Sequence, residues 1–138
     1  MTMDEIIEFV AGLEGVLTVR PGPGDGSPEI SWGDVFFHVA PDGVVPRAQP
    51  FATIVTKDYP GDAVSRLDRP GAFRVNVAAD AETRRRWAGA PPGDDIVIAH
   101  PVYPGWLAVA NPGPAADAAV RDLLRAAHRR ARVRRRPA

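Results

Sequence analysis

Five polar residues of contrasting chemistry lie close together in one stretch: Lys57, Asp58, Tyr59, Arg74 and Asn76. Lys57-Asp58-Tyr59 ends an apolar run and precedes Pro60-Gly61, which would set a cation and a phenol at the edge of a cleft. The plainer reading is that Asp58 starts the proline turn, Lys57 is solvated and Tyr59 packs beside it. His100-Pro-Val-Tyr103 is the second candidate. A proline holds the residue before it extended, which fixes the direction of the His100 ring. A histidine near a tyrosine and the only lysine has the groups for acid–base work. Alternatively, His100 hydrogen-bonds a loop backbone and holds a proline-rich crossing.

Other chemistries find less support. Serines occur only at 27, 31 and 65, and none sits in a Gly-x-Ser-x-Gly elbow. Gly22, Gly24 and Gly26 lack the Gly-Lys-Ser/Thr that would follow in a phosphate loop. The absence of cysteine excludes disulfides, thiolate metal ligands and thiol catalysis. His38, His100 and His128 are far apart with no pair at i, i+4, so no metal site and no cofactor are expected.

Acids and bases balance at 17 each, but eight of the basic residues fall between Arg121 and Arg136. Arg129, Arg130, Arg132 and Arg134 could track phosphates. No aromatic residues are interleaved with them, and the plainer reading is a solvated helix end whose cations suit the negative end of the dipole.

The elements that position these residues follow from local pattern. Thr2-Met-Asp-Glu5 is a capping box, followed by Ile6, Phe9, Val10 and Leu13 at helical spacing. Val16–Arg20, Glu29–Trp32, Val35–Val39, Ala52–Thr56, Ala72–Ala78 and Trp106–Ala110 are expected strands, with Gly33-Asp34 as a hairpin turn. Pro60-Gly-Asp62 opens a short expected helix with Ala63, Val64 and Leu67 inward. Asp80 caps a helix over 81–88, and Ile96–Ala99 is a short strand or an extended connector. Ala116, Ala119, Val120, Leu123, Leu124, Ala127 and Ala131 form one stripe of a final helix.

Alternation places Phe73, Val75 and Val77 on one sheet face and Arg74 and Asn76 on the other, with Phe36 and His38. The expected fold is α+β: an antiparallel sheet of about five strands with the N- and C-terminal helices packed on one face. Residues 1–132 form a single domain, and 133–138 a basic frayed tail. The composition of 45% apolar and 25% charged residues is that of a soluble globular chain. No apolar run approaches the roughly 18 residues that span a bilayer. The acidic Met1–Glu5 is unlike a signal peptide's basic start, and a cysteine-free chain fits the cytoplasm.

Ile30–Phe37, Pro50–Asp62, Phe73–Asn76 and His100–Trp106, with Asn111-Pro112, resemble an uncharacterised bacterial family defined only as a domain of unknown function (domain of unknown function 6194). The resemblance spans roughly Met3 to Arg132 and implies no chemistry. Leu13-Glu-Gly-Val16, Thr56-Lys-Asp58 and Trp106 are more distantly similar to MmcQ/YjbR-like proteins, departing from them over Arg84–Asp95. That similarity implies the α+β fold called CyaY-like, and some of its members are labelled DNA-binding.

The leading expectation is a small cytoplasmic, non-enzymatic domain binding a small ligand or protein partner on the helix-free face. Candidate contacts are His100, Tyr103, Lys57, Tyr59, Arg74, Asn76 and His38. One alternative is a nucleic-acid-binding accessory protein using Arg129, Arg130, Arg132 and Arg134. The other is an enzyme using His100 with Lys57 or Tyr59.

Overall fold

The computed structural model describes residues 1–135. The first helix, α1 (Met3–Ala11), opens on the capping box: Thr2 Oγ1 accepts from the Glu5 amide at 3.1 Å, and Glu5 Oε1 accepts from the Thr2 amide at 3.3 Å. Its fully buried residues, Ile6 and Val10, sit four apart on one stripe. Strand β1 (Val16–Val19) follows and pairs antiparallel with β2 (Val35–Val39).

The expected strand at Glu29–Trp32 does not form; Glu29–Ser31 is a single 3-10 turn. Pro28 supplies the reason. Its carbonyl accepts from the Ser31 amide at 3.0 Å and from Ser31 Oγ at 2.7 Å, closing the segment on itself. The partners of β2 are instead β1 and β3 (Ala52–Val55), and Asp34, expected in a turn, is buried.

The sheet continues through β4 (Arg74–Ala78), and β6 (Trp106–Ala110) lies next to it. The two-residue β5 (Ile98–Ala99) sits on the outer edge of β6, giving six strands in the order β1-β2-β3-β4-β6-β5. All neighbours are antiparallel. Between β4 and β5 lies α2 (Ala81–Trp87), where Asp80 accepts from the Thr83 amide at 2.8 Å.

The expected helix after Pro60 is absent. Side chains take the amides that a helix would have bonded internally. Asp62 Oδ1 accepts from Val64 and Ser65, and Asp58 Oδ1 accepts from Leu67, each at 3.0 Å. Leu67 is buried, but Val64 is exposed.

The last helix, α3 (Asp117–Arg135), is held at its start from a distance. Asp95 accepts from the amides of Gly113, Ala115 and Ala116 at 2.7, 3.0 and 2.8 Å. Burial works against the Asp95 carboxylate, but these bonds outweigh it and hold its pKa below the usual value. The helix runs through 133–135, past the expected start of a frayed tail; residues 136–138 lie outside the described residues.

One sheet face carries Val35, Phe37, Ile54, Val75, Leu107 and Val109, all buried. They share one core cluster with Ile6 and Val10 of α1 and with Val120 and Leu124 of α3. The terminal helices therefore cover this face, and the alternate residues of the same strands are left to the other.

Candidate functional site

On that second face, pairing register fixes which side chains meet. Thr53 pairs with Asn76 and Val55 with Arg74. Across the other edge of β4, Asn76 pairs with Ala108 and Ala78 with Trp106. The face is not an open, solvated one. The segments 56–72 and 99–105 fold over it, leaving Arg74 and Asn76 each only 3% exposed.

A buried cation survives only with partners, and Arg74 has a full set on one side. Its Nε donates to Asn76 Oδ1 at 2.7 Å. Its Nη1 donates to Asp62 Oδ2 and, at 3.0 Å, to Ser65 Oγ. Asn76 Nδ2 donates onward to Thr53 Oγ1 at 2.9 Å. Burial pulls the Arg74 pKa down, while the Asp62 charge and hydrogen bond push it back, so the guanidinium stays protonated. Burial works against the Asp62 carboxylate too. Bonds from Ser65 and Val64 and the Arg74 charge outweigh it and hold its pKa below the ordinary value.

His100 stands at the remaining guanidinium nitrogen. Its Nδ1 accepts from the amides of Val102 at 3.0 Å and Tyr103 at 2.9 Å. That nitrogen therefore carries no proton, and the neutral ring holds its hydrogen on Nε2. Nε2 lies 3.3 Å from Arg74 Nη2. Both atoms are donors, so neither satisfies the other. Burial, and then the Arg74 charge, push the His100 pKa down to about 4, which keeps the ring neutral near pH 7.

Above this pair lies a cavity of about 570 Å³ with Phe36, Val55, Tyr59, Tyr103 and Trp106 among its walls. The His100 and Tyr103 rings are 5.3 Å apart, centre to centre. Of the residues expected in a site, the structure brings together Arg74, Asn76, His100, Tyr103 and Tyr59.

Lys57 and His38 are not brought in. Lys57 is neither a cavity residue nor freely solvated: its Nζ donates to the Trp32 carbonyl at 2.9 Å and to Asp34 Oδ1 at 3.1 Å. Asp34 Oδ1 also accepts from the Thr56 amide and hydroxyl, while Oδ2 accepts from the Tyr59 hydroxyl. Burial and then that bond raise the Tyr59 pKa, so the phenol keeps its proton. His38 is 7% exposed, its Nδ1 has no hydrogen-bond partner among the described residues, and burial lowers its pKa.

The arginines of α3 are dispersed. Arg132 pairs with Glu14 at 3.1 Å, whereas Arg129, Arg130 and Arg134 have no acid within ion-pair distance among the described residues. No group of three or more His, Asp or Glu among the described residues could hold a metal ion. No described helix is long and apolar enough to cross a membrane.

Pattern reading missed Asp34, Asp62, Ser65 and Thr53, and did not set Trp106 apart from the other residues of its strand. The two aspartates sit in Gly-Asp turn signals, which mark a loop and carry no sign that the side chain will be buried against a distant cation. Trp106 lies at the start of an apolar strand, where only its facing could have separated wall from core.

The fold and cavity define an α+β protein with a half-covered antiparallel sheet. The chain belongs to the family described as "Family of unknown function (DUF6194)", whose match covers residues 1–138. Neither the curated proteins nor the solved structures contain a match.

Proposed function

We propose that the cavity binds a small molecule with a ring-shaped, largely apolar body and one hydrogen-bond-accepting oxygen. The observation that carries this reading is the donor pair at its floor. Arg74 Nη2 and His100 Nε2 stand 3.3 Å apart, both bear hydrogens, and neither has an acceptor among the described residues. A ligand oxygen placed against both supplies what the protein leaves out. Phe36, Tyr103 and Trp106 give the ring its faces.

Charge selects the kind of oxygen. Asp62 cancels Arg74, Asp34 cancels Lys57, and the His100 ring is neutral. The floor therefore favours a carbonyl or amide oxygen over a multiply charged group. A protein partner inserting an aromatic side chain would meet the same walls.

Binding, rather than catalysis, accounts for the groups present. One His100 nitrogen is committed to backbone amides, and its low pKa makes it a poor base near pH 7. Tyr59 donates its hydroxyl hydrogen bond to Asp34 rather than into the cavity. A cytoplasmic, bacterial setting belongs to the same proposal, supported by the cysteine-free composition and the block resemblance, as does the more distant likeness to MmcQ/YjbR-like proteins.

The test is histidine-ring NMR with benzamide as the probe and benzoate beside it. Free protein should show His100 as the Nε2–H form. Benzamide should move that resonance independently of salt, and more than benzoate does. The shift should vanish in Trp106→Ala. A His100 ring protonated on Nδ1, or a benzamide response that persists without Trp106, would sink the reading.

A further inference from the structure

On the other side of Trp106 lies a second cavity, of about 550 Å³, with Gln49, Pro50 and Trp106 common to both. Its lining includes the apolar residues Phe51, Ala78, Ala127 and Ala131, with His38 beside them. Its lining also includes four arginines: Arg84 from α2, and Arg130, Arg134 and Arg135 from α3. Arg130 and Arg134 are four residues apart and share a helix face.

These guanidiniums are short of counter-charge. Arg135 has Asp42 at 3.5 Å. Arg84 spends one nitrogen on the Ala79 carbonyl. Among the described residues, no carboxylate lies within ion-pair distance of Arg84, Arg130 or Arg134. Asp80 is near enough to feel two of them. Its pKa is held low first by its bonds to Thr83, with Arg130 and Arg84 adding a smaller pull.

Elsewhere on α3, Arg121, Arg125 and Arg132 are matched, while Arg129 is not. Arg121 pairs with Asp117 at 2.7 Å and Arg125 with Asp122 at 3.2 Å, and both lie over the Phe9 ring. The negative end of the α3 dipole accounts for cations in its last turn. It does not account for Arg84, which reaches the same hollow from another element. Excess positive charge around a concave hollow concentrates the field there.

We infer that this hollow is an oxyanion site for a small phosphorylated or diphosphate-type molecule. Planar guanidiniums bind such groups in bidentate fashion, and several arranged around one cavity suit a compact anion. A nucleic-acid groove would instead spread its cations along a track, with stacking side chains between them. The inference does not depend on the ring-binding cavity, although the shared Trp106 puts the two within reach of one molecule.

Inorganic pyrophosphate is the probe, titrated calorimetrically at low and at physiological salt. The wild type should bind it, more tightly at low salt. Arg84→Gln combined with Arg130→Gln should weaken binding about tenfold or more. Arg125→Gln, which removes a cation outside the hollow, should leave it unchanged. Circular dichroism checks that each variant is folded, and the single variants Arg84→Gln and Arg130→Gln serve if the double one is not. Absence of pyrophosphate binding would overturn the inference. So would equal weakening by Arg125→Gln, or a DNA duplex that binds more tightly than pyrophosphate and needs Arg129 and Arg132 as well.

Discussion

Removing Asp62 should cost the protein more than removing the cation it faces. In Asp62→Ala, Arg74 stays in place with 3% exposure and without the carboxylate it is paired to. Breaking a buried pair in this way costs about 3–5 kcal/mol. The same change strips the Val64 and Ser65 amides of their acceptor, so the upper part of that range is expected. Arg74→Met leaves Asp62 with both amide donors, and about 2–3 kcal/mol is expected, chiefly from the unmet Asn76 and Ser65 groups. The double variant should be more stable than the sum of the two losses implies, by roughly 1–3 kcal/mol. Urea unfolding measures all three, with an unchanged m-value as the check on two-state behaviour. For a chain of this size, the Asp62→Ala loss corresponds to roughly 14–17 °C in Tm. Equal effects of the two single changes, or strict additivity in the double, would refute the reasoning, since either means that the pair is not desolvated.

Three further outcomes follow from the same geometry. The folded-state pKa of His100 lies near 4, below its ordinary 6.5, so its contribution to stability is fully present above pH 6.5 and is lost as pH falls towards 4; His100→Gln should flatten the stability profile across that window. Asp95→Ala should cost about 1–2 kcal/mol by uncapping α3, and hydrogen exchange should rise first at Ala115 and Ala116. Tyr59→Phe removes one donor from buried Asp34 but leaves Lys57 and Thr56 in place, so a loss of only about 1 kcal/mol is expected in the same urea assay.

Much of the frame was legible because it is local or periodic. The Thr2–Glu5 capping box, the Asp80 cap, and the α3 stripe through Val120, Leu124 and Ala127 need only neighbours in sequence. Alternation alone put Arg74 and Asn76 opposite Val75 and Val77. Illegible were the features made by contacts far along the chain: Asp34 with Lys57, 23 residues on, and Asp95 with Ala116, 21 residues on. The 60–67 segment shows why. Its apolar spacing suits a helix, but three aspartate-to-amide bonds select a loop, and that loop buries Arg74. Periodicity counts apolar residues and is blind to a carboxylate competing for backbone amides.

The strand order carries a consequence for how the molecule assembles. From β1 to β4 each strand lies beside its predecessor, so four strands can pair in succession, each by closing the one loop that separates it from the last. Only β6 must bypass a strand, docking on β4 before β5 can be laid on its outer edge. The cover for Phe37, Ile54 and Val75 comes later still, from a helix that begins at Asp117. Until α3 docks, that side of the sheet has only α1 to cover it, in part. The refolding yield should fall with protein concentration, because self-association competes with the arrival of α3.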